Sequence, residues 1–549
     1  MNSGKLFLHT ILLYVLSVGV ARAQEPHQHD HQHDATEKLG RVHFPISCGA
    51  QAQQQFTRAL ALLHSFQYVE SEQAFAEIAA RQPQCAMANW GVAMSNYHPL
   101  WTPPTPAELK KGWEAVEKAK AATARTQRER DYIAAIETLY KDADKLGHYP
   151  RAQSYAAAME RLYLRYPQDH EAAVFYALAL NGTAPASDKN LANRQKAARI
   201  LYRVWPREPD HPGIAHYLIH SYDYPSLARL ALPAARRYAK VAPSSAHALH
   251  MPSHIFTRLG MWQDSIQSNL ASAATARKNV AKTQPGAASQ DELHALDYLM
   301  YAYLQGAQDE KAKGILDQAQ ANSAVNQVVF QAAYAWTAIP ARFALERRQW
   351  NDAASLALRP ANFPWDRFRF AEANIHFARA LGAAHNGDVA AARQEVGQLA
   401  AIQKTLSEVK GGYDWAMQVE IQRRAAAAWL AHAEGKNDEA IQLLRAAAEL
   451  EDSTDKHPVT PGAILPAREL LGDLLLELKR PAQALKEFET VLRTAPNRFN
   501  SLSGAARAAN LTGNQQKARI YNAKLLAVCA HADNARPELQ QAKRFLTKN

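Results

Sequence analysis

Two pairs of histidines in the middle of the chain have the spacing of ligands on a helix. His216 and His220 are four residues apart, His250 and His254 are also four apart, and the second pair follows the first by 34 residues. Side chains at positions i and i+4 lie on the same helix face, and packed helices lie about 8–10 Å apart. The imidazoles of two neighbouring helices are therefore predicted to converge on one ion.

Neutral imidazole is a common ligand of transition metals, and two to four imidazoles with a carboxylate suit a divalent ion of Zn, Cu, Ni or non-haem Fe. Asp223 follows His216 by seven residues and His220 by three, so it is predicted to lie on the same face. It would act there as a ligand or as an acceptor behind a ligand. The pattern thus predicts a His/Asp metal site without identifying the metal.

A structural interpretation of these histidines stays open beside the metal site. A single buried histidine usually bonds to backbone or to an aspartate across a helix contact. Burying several imidazoles together without a ligand, however, leaves ring nitrogens that are hard to satisfy, which favours a ligand-binding role. Pro252 lies between His250 and His254 and disfavours helical geometry at Met251, so a helix must kink or begin there.

The sequence strings that mark common enzyme classes are missing. The chain contains no HExxH, GxSxG, GxGxxG, P-loop or CxxC string, so zinc proteases, serine hydrolases and nucleotide-binding enzymes receive no support. Asp223 and Asp297 are the nearest options for a general base. Catalytic residues therefore remain unassigned.

The segments that must position these side chains are predicted to be helices. From residue 44 onward Ala, Leu, Gln, Arg and Glu recur with helical periodicity, interrupted by single Pro or Gly residues. The alternation typical of strands is almost absent. The body of the chain is therefore predicted to be all-α.

A 34-residue period organises these helices. Gly472, Ala484, Phe488 and Pro496 lie at offsets of 0, 12, 16 and 24. This resembles the tetratricopeptide (TPR) family, which has small residues at positions 8 and 20, an aromatic at 24 and proline at 32. Small residues let two helices approach, the aromatic fills the gap, and proline ends the second helix. The resemblance implies a right-handed α-solenoid of eight to twelve TPR-like helical hairpins.

The same register extends to the N-terminal part and to the histidines. In the N-terminal part the four positions are taken by Ala59, Ser71, Phe75 and Pro83. With Pro243 at position 32, five histidines of the middle units fall at positions 2, 5 and 9, which in the TPR family line the concave groove. After a short insertion, with Ala312 at position 20 of the next unit, His294 falls at position 2 and Asp297 at position 5. The resemblance therefore implies a groove faced by His216, His220, His247, His250, His254, His294 and Asp297.

Within the TPR family, the chain resembles secreted bacterial proteins that carry the strings HPLW and HxxHMPSHIF, which stand here at residues 98–101 and 247–256. That resemblance implies no particular activity. Three functions stay open. The first is binding of a divalent metal in the groove, with or without a peptide or protein partner. The second is a metal-dependent hydrolytic or oxidative enzyme, and the third is a metal-free scaffold for protein–protein interaction.

The N-terminus predicts export. Residues 1–23 read as a signal peptide with an early Lys5, an apolar stretch and the small-x-small ending of Ala21 and Ala23. Residues 24–43 contain a short His/Asp-rich tract and are predicted to form a mobile arm. We place the TPR-like repeats with the His/Asp cluster at 44–430 and the C-terminal repeats at 431–549. The mature protein is therefore expected to be periplasmic or secreted.

Charge and hydropathy exclude some partners. The 549 residues hold 63 Lys and Arg against 52 Asp and Glu, a formal charge of +11 spread along the chain without long basic runs. Nucleic acid is therefore not expected as a partner. After the signal peptide, no apolar run is long enough to span a bilayer.

Three cysteines are present, and export permits a disulfide. Cys48 and Cys85 flank the first helical segments and form the natural pair, whereas Cys529 is distant in sequence. We predict a structural Cys48–Cys85 disulfide and a buried, unreactive Cys529.

Overall fold

The computed structural model describes residues 1, 37–100, 103–122, 124–185, 188–409, 412–533 and 536–548. The chain divides into two units, Met1–Glu37 and Lys38–Asn549, and the helices below belong to the second. The predicted signal peptide and the His/Asp-rich tract fall in residues 2–36 and lie outside the described residues.

The described residues are almost entirely helices and their connections, with an isolated β-bridge between Ala288 and Val325. The helices of the first half are α1 Ala50–His64, α2 Tyr68–Arg81, α3 Ala86–Ser95, α4 Pro106–Ala121, α5 Gln127–Tyr140, α6 His148–Arg165, α7 His170–Gly182, α8 Ala192–Val204, α9 Pro212–Tyr222, α10 Leu232–Val241, α11 Ala246–His250, α12 Pro252–Arg258 and α13 Trp262–Thr283. The predicted all-α class is confirmed.

The second half continues the array. Its helices are α14 Gln290–Gln305, α15 Asp309–Ala321, α16 Phe330–Leu345, α17 Trp350–Ala354, α18 Arg369–His385, α19 Val389–Ser407, α20 Trp415–Ala433, α21 Asn437–Asp452, α22 Ala467–Glu477, α23 Pro481–Thr494, α24 Phe499–Leu511, α25 Gln515–Val528 and α26 Pro537–Lys548. Among the described residues, no helix has both the length and the apolar composition needed to cross a bilayer.

Successive helices pack against one another, and some next-but-one neighbours, such as α18 and α20, also touch. The predicted packing device is seen at Phe488, whose ring lies between α22 and α24. A Cβ atom at Gly472 would come within 2.7 Å of this ring, and one at Gly504 within 2.4 Å. Glycine is therefore required for the close approach, and the solenoid of TPR-like hairpins is confirmed.

The segment just before α1 packs against the helical body. Leu39 and Val42 are buried, and Arg41 N donates to Asp210 O at 2.9 Å. The packed body thus begins at Lys38, inside the segment 24–43 that we predicted as an arm. The limit between 430 and 431 falls within α20.

Cys48 and Cys85 are joined by a disulfide bond. Cys85 immediately precedes α3, and Cys48 lies two residues before α1, so the bond ties the starts of these two helices together. Cys529 is a buried thiol beside the end of α25.

The apolar core changes near the predicted site. One set of buried side chains runs from Leu39 to Phe256 on α12. The next begins at Trp262 and includes the apolar face of α14. The predicted histidines therefore lie where two stretches of core meet.

Candidate metal centre

Four helices bring the predicted histidines together. α9 carries His216 and His220, α11 and α12 carry His247, His250 and His254, and α14 carries His294. Pro212 and Pro252 each occupy the first turn of their helix, where proline removes no needed hydrogen bond. A new helix begins at Pro252 as predicted, but Met251 keeps right-handed helical dihedrals because it closes α11 through a bond from its N–H to His247 O at 2.9 Å.

The six histidines form two groups of three. We call His216, His220 and His247 the first triad, and His250, His254 and His294 the second triad. Within each triad the three potential ligand nitrogens all lie within 4.8 Å of one another. The six side chains are between 0% and 8% exposed. The side chains that the repeat register placed in one groove are thus brought together inside the protein.

In the second triad, two ring nitrogens face each other without a proton between them. A neutral imidazole carries one ring proton. His254 Nδ1 donates to Asp223 Oδ2 at 3.0 Å. His250 Nδ1 donates to Asn269 Oδ1 at 2.6 Å, and the amide nitrogen of Asn269 donates to Ser265 O. The two Nε2 atoms therefore carry lone pairs, yet they lie 3.0 Å apart.

The first triad presents a similar conflict. His216 Nδ1 donates to the backbone carbonyl of His64 at 2.7 Å, which leaves a lone pair on its Nε2. That atom lies 3.1 Å from Nε2 of His220 and 3.1 Å from Nε2 of His247. One imidazole lone pair accepts one well-aligned hydrogen bond. The ring of His216 therefore cannot satisfy both neighbours by hydrogen bonding.

Electrostatics keep these rings neutral. Burial lowers the pKa of each of the six histidines below its ordinary value. Neighbouring imidazoles add to the shift in five of them, and in His254 the charges of Lys456 and Arg258 add to it against the opposing effect of Asp223. Neutral imidazole is the form that binds metal. Two ligand nitrogens about 2.0–2.1 Å from one tetrahedral ion lie about 3.3 Å apart, which is close to the observed Nε2 separations of 3.0–3.1 Å. An ion among these atoms would turn their repulsion into coordination.

Asp223 was predicted either as a ligand or as a hydrogen-bond acceptor behind a ligand. In the structure it is the acceptor, because it binds the ring of His254. Its Oδ2 accepts from His254 and from Lys456 Nζ at 3.0 Å, and its Oδ1 accepts from Arg258 Nε at 2.8 Å. Burial opposes ionisation of Asp223, but Lys456, Arg258 and His254 outweigh it and hold its pKa well below the ordinary value. The carboxylate is thus charged and orients the ring of His254.

Asp297 was also predicted in the ligand set, but the structure does not bring it into either triad. Its Oδ1 accepts from Arg342 Nε on α16 at 3.1 Å, and both side chains are buried. Burial raises the pKa of Asp297 to about 6, against the opposing effect of Arg342. The buried guanidinium of Arg342 requires a carboxylate partner, and Asp297 provides it. Asp297 therefore pairs with an arginine and does not belong to either triad.

Four of the six histidines line one pocket. This pocket contacts His220 and His247 of the first triad and His254 and His294 of the second, together with Met251, Asp291, Gln331, Pro458 and Val459. Burial raises the pKa of Asp291 to about 7, and the negative charge of Glu70 adds to this. The arrangement places a carboxyl group that titrates near neutral pH beside the triads.

The connection between α21 and α22 closes one side of the centre. It supplies Lys456, Pro458 and Val459, and the carbonyl of Thr460 accepts from Tyr298 OH at 3.2 Å. These residues follow the triads by more than 150 positions. Sequence reasoning missed them because repeat spacing relates only neighbouring units. It also missed Asn269, which binds His250. Asn269 lies on α13, the helix that directly follows the one carrying His254, so a contact with these histidines could have been anticipated.

A second buried histidine network lies beside the first triad. Glu171 Oε2 accepts from His64 Nε2 at 2.9 Å, and Oε1 accepts from His211 Nε2 at 2.9 Å. His64 Nδ1 lies 2.9 Å from Tyr217 OH. We call His64, Glu171 and His211 the Glu-bridged network. Its three ligand atoms also lie within 4.8 Å of one another, and no spacing rule singled out Glu171 or His211.

Every nitrogen contact in the Glu-bridged network joins a donor to an acceptor. Burial opposes ionisation of Glu171, but His211 and His64 outweigh it and lower its pKa far below the ordinary value. One carboxylate oxygen therefore serves each imidazole. The centre of the network is thus filled by a carboxylate without an ion, while Nδ1 of His211 is buried without a hydrogen-bond partner. Through the carbonyl of His64 the network fixes the ring of His216.

Comparison with known proteins leaves the chain without an assigned family. No protein-family model matches it, and no curated protein matches it. A solved structure of the human IFIT1 dimer with m7Gppp-AAAA is 12% identical, with a TM-score of 0.37, over 81% of this chain and 90% of that one. The APC/C hetero-tetramer Cut9–Hcn1 is 11% identical, with a TM-score of 0.31, over 90% of each chain. These likenesses are too low to bear on function.

Proposed function

We propose that this protein binds a transition-metal ion of the Zn, Cu, Ni or Fe class through the histidines of the two triads. The observation that carries the proposal is the pair of Nε2 atoms of His250 and His254, 3.0 Å apart, while the ring protons of both residues are donated elsewhere. A bound cation is the simplest group that satisfies both lone pairs at once.

The donor set favours this class of metal over others. Six neutral nitrogens suit borderline ions, whereas Mg²⁺ and Ca²⁺ require oxygen ligands. Metal-binding histidines commonly donate a hydrogen bond from their second ring N–H to a carboxylate or carbonyl. Here Asp223, Asn269 and the carbonyl of His64 take those bonds. The surroundings of the rings thus match those of metal ligands.

The setting of the site is a solenoid of helical hairpins. We propose that the protein works in an oxidising compartment outside the cytoplasm, and the disulfide between Cys48 and Cys85 supports this because such bonds persist there. A peptide or protein partner in the groove remains part of the proposal.

A second candidate function, metal-dependent catalysis, is favoured by the pocket. Catalytic zinc sites commonly use three protein ligands and leave one position open to water or substrate. The pocket reaches histidines of both triads and also contacts Asp291, whose pKa of about 7 suits proton transfer near neutral pH. The substrate class is left open.

The test of metal binding is elemental analysis of the tag-free mature chain in which His27, His29, His31 and His33 are replaced by Ala. This removes the metal-binding composition of the N-terminal tract. After incubation with Zn(II) or Cu(II) and gel filtration, we expect near-stoichiometric metal. A His216→Ala/His254→Ala variant in the same background should retain none.

The control variant is His376→Ala/His432→Ala, which removes two partly buried histidines that contact glutamates on other helices. It should keep the full metal content. Absence of metal from the parent protein, or its retention in the His216→Ala/His254→Ala variant, would overturn the proposal.

A further inference from the structure

We infer that the two triads hold two ions, one in each triad, at a dinuclear centre that opens into the shared pocket. This inference rests on the proposed metal binding and goes beyond it, because a single site would need only one triad.

Each triad is a complete ligand set by itself. Three imidazoles with one open position form a known pattern for a four-coordinate ion. The nitrogens of each triad lie within 4.8 Å of one another, but the six nitrogens do not form one group of that size. A single ion at normal metal–nitrogen distances of about 2.0–2.1 Å therefore cannot be reached by all six rings as they stand.

Each triad also has its own orienting groups. His216 of the first triad donates to the carbonyl of His64 and stacks on Tyr238, with centroids 5.3 Å apart. In the second triad, Asn269 and Asp223 fix the rings of His250 and His254. Because no orienting group is shared, the oriented ring of the first triad is held independently of the two oriented rings of the second.

The triads are nevertheless neighbours on one cavity. The rings of His220 and His254, one from each triad, have centroids 6.1 Å apart. Both residues line the pocket together with His247 and His294. The open positions of two ions would therefore face the same small space, the arrangement that two-metal sites use to bind one ligand between them.

The stoichiometry of binding tests this inference. The full mature chain with the four arm histidines replaced would be stripped with chelator and titrated with Zn(II), with bound metal measured after gel filtration. We expect two ions per chain. His247→Ala, which breaks the first triad, and His294→Ala, which breaks the second, should each retain one ion, and the double variant none.

The outcomes separate the two proposals. One ion in the parent protein that is lost in both single variants would overturn the dinuclear centre and keep the proposed metal binding. No ion in the parent protein would overturn both. If either variant fails to give the far-UV circular dichroism of the parent protein, electron paramagnetic resonance of the parent protein loaded with Cu(II) decides the question. Coupled neighbours should give a signal well below that of isolated spins, and full intensity would contradict the inference.

Discussion

The Glu-bridged network and the two triads contain the same residue type, are equally buried and are joined through His64, yet their ring nitrogens meet different partners. Glu171 accepts from both of its imidazoles at 2.9 Å. In the second triad, by contrast, the Nε2 atoms of His250 and His254 face each other at 3.0 Å with no donor between them.

This difference shows that clustering and burial alone do not distinguish a metal site. All three groups bring their potential ligand atoms within the same 4.8 Å. What separates them is the position of the ring protons, which follows from the outer partner of each imidazole. An anion already occupies the centre of the Glu-bridged network. In the second triad two lone pairs face each other, and in the first the lone pair of His216 Nε2 meets two neighbouring nitrogens.

The largest expected effect is on metal affinity. His216→Ala/His254→Ala should lower the affinity for Zn(II) by at least about 1000-fold, or about 4 kcal/mol, because each triad loses a ligand. Glu171→Gln should change it by less than about 10-fold, since Glu171 acts only through the carbonyl of His64. Competition with a chromophoric chelator measures both. Equal losses in the two variants would mean that the networks do not differ as described.

The next effect is on the stability of the metal-free protein. Here the variant of the Glu-bridged network should have a larger effect than the variant of a triad. Glu171→Gln should lower the free energy of unfolding by about 3 kcal/mol, because two buried imidazoles lose a charged acceptor. His250→Gln should cost less than about 1 kcal/mol, because the new amide can donate to His254 Nε2. Urea unfolding in the presence of chelator compares the two. A larger cost for His250→Gln would contradict the opposed lone pairs.

A smaller effect is expected when an orienting group is changed. Asp223→Asn should lower metal affinity by about 10–100-fold, the usual cost of losing such a partner. The matched control is Asp455→Asn, which removes the other carboxylate that pairs with Arg258 and leaves His254 untouched. If both variants bind metal equally, the contact from His254 to Asp223 does not serve the ligand.

The smallest effect is on the pH dependence of the metal-free protein. Burial lowers the folded-state pKa of His250, whereas the unfolded chain has the ordinary value of about 6.5. As pH falls through about 6.5, the unfolded chain takes up a proton that the folded chain does not, so stability falls with pH.

His250→Gln should therefore reduce the stability lost between about pH 7.5 and 5.5 by about 1.4 kcal/mol. Urea unfolding at the two pH values, with chelator present, measures this. An unchanged loss in the variant would show that folding does not lower the pKa of His250.

Repeat spacing was enough to predict the helical solenoid and to predict that six histidines lie close together. The 34-residue period assigned a helix face to five of them, and the register of the next unit assigned one to His294. Packing of neighbouring helices then set their proximity. Phe488 and its glycines follow the same logic, because their contacts lie within adjacent hairpins.

Contacts with partners from other units were not predictable from spacing within one unit. Asp297 has the register of a groove residue, but Arg342 on α16 binds it. Asp223 forms a buried ion pair with Lys456, which lies in the connection after α21. Glu171 also comes from another unit. Local spacing determines the face on which a side chain lies, whereas the path of the whole solenoid determines which partner meets it.

The most direct measurement is an anomalous difference map from crystals of residues 24–549 grown with Zn(II). We expect peaks bonded to Nε2 of His250 and His254 in the second triad and to Nε2 of His216 in the first, with no peak at Glu171. A map with no peak at either triad, or with its peak among His64, Glu171 and His211, would contradict the central claim that opposed lone pairs mark the metal centre.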